Sequence, residues 1–146
     1  MRFVAALVVA AAGTALAAGC GSSRLSHEQL VERADAVCAR YDAAVKKLRT
    51  PRTLIDVERY TRRVIPIYRR ALAELAALVP PKDDLPTFRA LLRIDRKIAA
   101  DLEALAAAAA ARQIPHVRAV VRMATAHNRR GNRLARRLGL KVCSKP

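Results

Sequence analysis

Residues 26–48, SHEQLVERADAVCARYDAAVKKL, decide the fold, because their apolar positions recur at alternating steps of three and four. This spacing places the apolar residues on one face of an α-helix. Ser26 precedes the run as an N-cap, and Gln29 stands where a capping box needs its partner. We therefore predict a first helix that ends near Arg49, before Pro51. Its inner face comprises Val31, Ala34, Cys38, Tyr41, Val45 and Leu48.

A second apolar face with the same spacing covers residues 57–78. Thr50 or Thr53 can cap this helix, and Pro80-Pro81 end it. Pro66 lies inside the pattern, where it removes one backbone donor. Because the pattern keeps its phase across Pro66, we predict one kinked helix and not two separate ones.

Two more helices follow the second. Asp83 and Asp84 can cap helix three. Helix four runs from about residue 115 to residue 138, with Gly139 as the C′ residue and Leu140 as the hydrophobic contact of a Schellman end. The inner face of helix three comprises Phe88, Leu91, Leu92, Ile98, Leu102, Leu105 and Ala109.

The composition agrees with a helical protein, since alanine and leucine are abundant and aromatic residues make up only 3% of the chain. Four helices of similar length with short connections predict an all-α fold, an antiparallel up-down-up-down four-helix bundle over residues 26–146. This topology brings the end of helix four beside the start of helix one.

The chain begins with a basic residue and an apolar run that leads to Leu16-Ala17-Ala18-Gly19-Cys20. This stretch resembles the lipobox of bacterial lipoproteins, although Ala17 stands where the family prefers leucine. The resemblance implies that residues 1–19 are a cleaved signal peptide and that Cys20 carries the lipid. Residues 20–25 then tether an exported domain to the extracytoplasmic face of a membrane. The alternative is an ordinary signal peptide in which the cysteine occurs by chance.

Two cysteines, Cys38 and Cys143, are left once Cys20 is assigned to the lipid. An even pair in an exported protein favours a disulfide over two buried thiols. The predicted topology supports the pairing, because the tail after helix four can return along helix one. The sequence contains no Cys-x-x-Cys motif, so nothing in it suggests redox chemistry.

The strongest functional signal is the charge of the last helix. The chain has a net charge of +16, and the predicted cleavage removes only Arg2 from the charged residues, which leaves +15. From Arg112 onward the sequence contains ten basic residues and no acid. Five of them form a narrow row opposite the apolar face of helix four, which we call the arginine stripe. It consists of Arg118, Arg122, Arg129, Arg133 and Arg136.

Arginine binds phosphate through paired hydrogen bonds, so the arginine stripe suits anionic lipid, an anionic envelope polymer or an acidic protein. The alternative is a solvated face without a ligand. Nucleic acid fits poorly, because the sequence has no nucleic-acid motif, few aromatic residues for base stacking and the signal of an exported protein.

The signals for catalysis and for metal binding are weak. No catalytic triad, phosphate loop, carboxylate pair or metal-ligand spacing stands out, so we predict neither an enzyme, nor a metal, nor a cofactor. His127, Tyr41 and Tyr60 fall on inward faces and can line a small core pocket, although a hydrogen-bonded core histidine is the better explanation of His127.

The sequence thus predicts a lipid-anchored cell-envelope protein of binding or accessory type, whose arginine stripe contacts anionic groups. One alternative is an extracytoplasmic bundle that binds a small ligand or metal in its core. Another is a purely structural accessory lipoprotein.

Overall fold

The computed structural model describes residues 24–145, and within them the protein is a bundle of four α-helices. The predicted all-α class is confirmed, and the described residues contain no strand. The helices are α1 (His27–Val45), α2 (Leu54–Ala76), α3 (Leu85–Ala110) and α4 (Ile114–Arg137).

Capping side chains fix where α1 and α2 begin. The Ser26 hydroxyl accepts a hydrogen bond from the backbone N–H of Gln29, and the Gln29 side chain accepts one from the backbone N–H of Ser26. This reciprocal pair is the predicted capping box. Thr53, not Thr50, caps α2 and forms the same motif with Asp56. Asp84 holds the N-cap position of α3, but its side chain makes no capping bond there.

The ends of the helices follow the sequence signals with one adjustment. Helix α1 ends at Val45, ahead of the predicted Arg49. Helix α2 runs unbroken through Pro66, which agrees with the prediction of one helix in place of two separate ones. At the end of α4, Leu140 donates its backbone N–H to the Ala135 carbonyl at 3.0 Å, and Gly139 donates to the Arg136 carbonyl at 3.0 Å. These two bonds make the predicted Schellman motif, with Gly139 at a φ of 73°.

The core lies where all four helices and the tail contribute side chains. Consecutive helices pack against each other, α1 with α2, α2 with α3 and α3 with α4, whereas α1 and α4 are not in close backbone contact over the described residues. The central cluster of buried side chains is made of Leu30, Ala34, Val37, Leu75, Phe88, Leu91, Leu92, Ala135, Leu138 and Leu140.

The predicted up-down-up-down direction of the helices stays a prediction, and two contacts between helix ends agree with it. The backbone N–H of Leu25, just before α1, donates to the Val79 carbonyl just after α2 at 2.9 Å. The His27 imidazole and Val31 lie 3.7 and 3.8 Å from the position that a Cβ on Gly139 would occupy. The start of α1 therefore lies beside the end of α2 and the end of α4.

The tail after α4 joins α1 to the rest of the bundle. Cys38 on α1 and Cys143 on the tail form a disulfide, with their Cα atoms 5.2 Å apart. The Asp35 carboxylate accepts hydrogen bonds from the backbone N–H groups of Lys141, Val142 and Cys143 at 2.8 to 3.1 Å. The tail thus spans the gap between α1 and α4 at one end of the bundle.

The predicted signal peptide and the lipid-acceptor Cys20 lie outside the described residues. Arg24 and Leu25, which the sequence assigned to the tether, bond to the segment after α2. The Arg24 guanidinium donates to the Pro80 carbonyl at 3.0 Å, and Leu25 packs against the core. Among the helices at residues 24–145, none is long and apolar enough to cross a membrane.

Candidate functional site

All members of the arginine stripe are exposed on α4. The buried residues of the same helix are Val120, Gly131 and Ala135, which face α3 and the core. At about 100° per residue, the stripe falls opposite these buried positions. The structure thus brings the five predicted arginines together on one solvent-facing surface.

The arginines of α4 are free of ion pairs with any residue between 24 and 145, whereas several arginines of α1 and α2 are paired. Arg40 contacts Glu74, Arg62 contacts Glu58, and Arg69 contacts Glu103. No acid lies on α4 or on the tail. Because like charges along one face repel each other, the unpaired stripe favours a contact with an external anion.

The C-terminal end of the arginine stripe lies near the start of the folded chain. Gly139 follows α4 directly and borders His27 and Val31 at the start of α1. Arg136 lies three residues before Gly139, whereas Arg118 lies about 27 Å from Arg136 along the helix axis. The two ends of the stripe are therefore at very different distances from the chain that precedes α1.

A cleft opens beside the stripe, where the backbones of α1 and α4 are not in close contact. Its volume is about 440 Å³, and all four helices and the tail line it. We call it the α1–α4 cleft. Apolar residues of α2 and α3, such as Leu72, Leu91 and Ile98, line part of it. Thr125 and Asn128 of α4 also line it and are exposed, so the cleft is open to solvent.

Two tyrosines and an aspartate supply polar groups inside the α1–α4 cleft. The rings of Tyr41 and Tyr68 meet edge to face, with their centroids 5.5 Å apart. The Tyr68 hydroxyl donates to Asp95 Oδ1 at 3.2 Å. Burial raises the pKa of Tyr41 to about 12 and that of Asp95 to about 6, and the hydrogen bond from Tyr68 offsets part of the shift at Asp95. Burial also raises the pKa of Tyr68.

The three residues predicted to share a core pocket do not line the same cavity. Tyr41 lines the α1–α4 cleft, and Tyr60 lines a separate cavity of about 150 Å³ next to Leu48 and Arg49. His127 turns to α3, where its Nδ1 lies 2.6 Å from Asp101 Oδ2. The Asp101 side chain is only 7% exposed, so His127 is a hydrogen-bonded partner of a buried carboxylate.

Asp95 and Asp101 are absent from the residues predicted for a site, although the sequence contains a signal for both. Asp95 precedes Ile98 and Leu102 at helical spacing, so it belongs to the apolar face of α3. Asp101 stands in the same relation to Leu105 and Ala108. An isolated acid on an apolar helix face requires a buried partner or a cavity, and this rule would have singled out both residues.

Within residues 24–145, no group of three or more His, Cys, Asp or Glu side chains is arranged to hold a metal ion. Comparison with protein-family models, curated proteins and solved structures gave no match to this chain.

Proposed function

We propose that the protein is a lipid-anchored cell-envelope protein whose arginine stripe binds phosphate groups at the surface of an anionic membrane. The observation that carries this proposal is the exposure of all five stripe arginines on a helix without a single acid. Guanidinium groups bind phosphate through paired hydrogen bonds, and each basic side chain near an anionic surface contributes about 1 kcal/mol.

The short distance between the proposed anchor and the bundle supports the proposal. Arg24 follows Cys20 by four positions in the chain, a distance of at most about 14 Å. Arg24 bonds to the segment after α2, beside the start of α1. Because the end of α4 lies at the same end of the bundle, a lipid on Cys20 would hold Arg133 and Arg136 close to the lipid headgroups.

A basic patch adds electrostatic affinity for anionic lipids to the affinity that a lipid anchor supplies. The lipid would therefore set the position of the bundle, and the arginine stripe would set its orientation against the membrane. The lipid anchor, the export and the bacterial membrane all rest on the lipobox resemblance of residues 16–20.

Vesicle sedimentation tests the stripe. The protein is made as residues 20–146 with Cys20→Ser, so that no lipid contributes. It is mixed with vesicles of phosphatidylglycerol and phosphatidylcholine, or of phosphatidylcholine alone, over roughly 50 to 500 mM salt. We expect binding only to the anionic vesicles, lost at high salt, and weakened about tenfold or more by Arg122→Gln, Arg129→Gln and Arg133→Gln combined.

The matched control is Arg89→Gln, Arg93→Gln and Arg96→Gln, three exposed arginines on α3 that give the same change in net charge. If both triple variants lose affinity equally, the net charge and not the stripe drives binding. If the protein fails to bind anionic vesicles even at low salt, the membrane-phosphate function is wrong. A structural or accessory role, or an acidic protein partner, then takes its place.

A further inference from the structure

We infer that the α1–α4 cleft is a binding site for a small organic cation with an apolar body, whose ammonium group contacts Asp95. This site is separate from the arginine stripe and does not depend on its proposed function. The inference rests on the charge, the hydrogen bonding and the size of the cleft.

The charge of the cleft is opposite to that of the protein. The chain has 28 Lys and Arg residues and 12 Asp and Glu residues. The residues that line the cleft nevertheless include two acids, Asp42 and Asp95, and no arginine, and Lys145 on the tail is their one basic residue. In such a basic chain, this is a local reversal of sign. Since salt screens the exposed arginines beyond about 8 Å, the acids in contact with a ligand decide which charge the cleft accepts.

Asp95 has an oxygen atom available for a ligand. Oδ1 accepts the hydrogen bond from Tyr68, and no other residue between 24 and 145 bonds to this carboxylate. Among the described residues, every fully buried side-chain oxygen or nitrogen atom has a hydrogen-bond partner. Oδ2 is therefore open to the cleft. A partly buried carboxylate with one neutral donor gains from a cationic partner, because the cation offsets the cost of desolvation.

The aromatic and apolar lining suits the rest of the ligand. The Tyr68 hydroxyl contacts the carboxylate, and the Tyr68 ring meets the Tyr41 ring edge to face. An ammonium group near such rings gains cation–π attraction. Leu72, Leu91 and Ile98 offer apolar contact. The volume of about 440 Å³ falls within the range of small-molecule sites, about 300 to 1,000 Å³.

Three probes of matched shape test the inference, namely 4-phenylbutylamine, 4-phenylbutanol and 4-phenylbutyrate. Binding to residues 20–146 with Cys20→Ser is measured near pH 7.5 by calorimetry and by the NMR signals of the tyrosines. We expect the amine to bind at least about tenfold more tightly than the alcohol or the acid. Asp95→Asn should remove this preference, and Asp83→Asn, an exposed acid outside the cleft, should keep it.

A second variant tests whether the amine binds in the cleft, and it leaves the charge of the cleft unchanged. Asn128 is exposed and lines the cleft, so Asn128→Phe should block the amine while circular dichroism shows the fold intact. The inference is wrong if the three probes bind equally, if none binds, or if Asp95→Asn and Asp83→Asn weaken the amine by the same factor.

Discussion

Asp95 and Asp101 lie on the same helix yet meet different environments. The His127 imidazole lies 2.6 Å from Asp101, so that carboxylate is buried together with a partner. Asp95 receives only the neutral Tyr68 hydroxyl and keeps one oxygen open to the α1–α4 cleft. A carboxylate without a cationic partner in a fold costs stability, and proteins keep such groups chiefly at functional sites.

The pKa of Asp95 makes this cost measurable. Burial raises the pKa of Asp95 to about 6, whereas the ordinary value for a free aspartate side chain is 3.8. Between these two values the folded state binds more protons than the unfolded state, so stability falls as the pH rises through this window. Other ionisable groups at the cleft are Tyr41 and Asp42 on α1, Tyr68 on α2 and Lys145 on the tail.

We therefore expect Asp95→Asn to raise the free energy of unfolding by about 1 to 2 kcal/mol near pH 7.5. Near pH 3.5 the gain should disappear, because the folded protein is then already protonated at Asp95. Urea unfolding at both pH values measures the difference, with Asp83→Asn as the control. A loss of stability at pH 7.5 would show that Asp95 has a cationic partner in the fold.

At the scale of the element, α4 divides into three longitudinal surfaces. Val120, Gly131 and Ala135 are buried against the bundle. Thr125 and Asn128 face the α1–α4 cleft, and the arginine stripe lies next to them on the exposed side. A sequence pattern distinguishes the apolar surface from the basic one, but it does not show that a cleft lies between them.

Gly131 inside α4 and Gly139 just after it give opposite predictions for a substitution by alanine. A Cβ at Gly131 would lie 3.6 Å from Ile94 Cγ2, an ordinary van der Waals distance. Gly131→Ala should therefore stabilise the protein by about 0.5 to 1 kcal/mol through helix propensity. Gly139 has a φ of 73°, so Gly139→Ala should destabilise it by about 1 to 2 kcal/mol.

Thermal and urea unfolding of the two variants measure whether each substitution raises or lowers the stability. Each variant serves as the control for the other, since the added methyl group is identical. If Gly139→Ala left stability unchanged, the positive φ at the Schellman end would not require glycine. A destabilised Gly131→Ala would mean that α3 and α4 pack too tightly for a methyl group.

At the scale of the whole molecule, the tail bridges α1 and α4 at one end of the side where these two helices lack close contact. The Asp35 carboxylate holds three backbone N–H groups of the tail, and the disulfide from Cys38 to Cys143 spans 105 residues. Because Val142 and Cys143 also line the α1–α4 cleft, the same tail shapes the proposed ligand site.

Replacing both Cys38 and Cys143 by serine should lower the free energy of unfolding by about 4 to 5 kcal/mol, the chain-entropy value for a loop of this length. Urea unfolding measures this loss. Asp35→Asn keeps the disulfide and serves as the comparison, with an expected loss of about 1 to 3 kcal/mol from weakened hydrogen bonds. A cysteine double variant as stable as the unchanged protein would mean that the disulfide does not constrain the unfolded chain.

The sequence by itself determined the local structure. Ser26 with Gln29, Pro80-Pro81, Gly139 and the spacing of the apolar residues set four helices, because capping, backbone dihedrals and helical periodicity act over only a few residues. The net charge and the row of arginines on α4 were equally evident, since residues on one helix keep their angular relation. The Cys38–Cys143 pairing followed from counting the cysteines and ordering the helices.

Only the tertiary structure decided which side of the bundle stays open. The absence of close contact between α1 and α4 depends on how consecutive helices pack, and no local pattern encodes the angle between distant helices. The partners of Asp95, Asp101 and His127 lie on other turns or other helices, so their burial and hydrogen bonds exist only after packing. The cleft and its carboxylate are therefore properties of the fold, whereas the arginine stripe is a property of one helix.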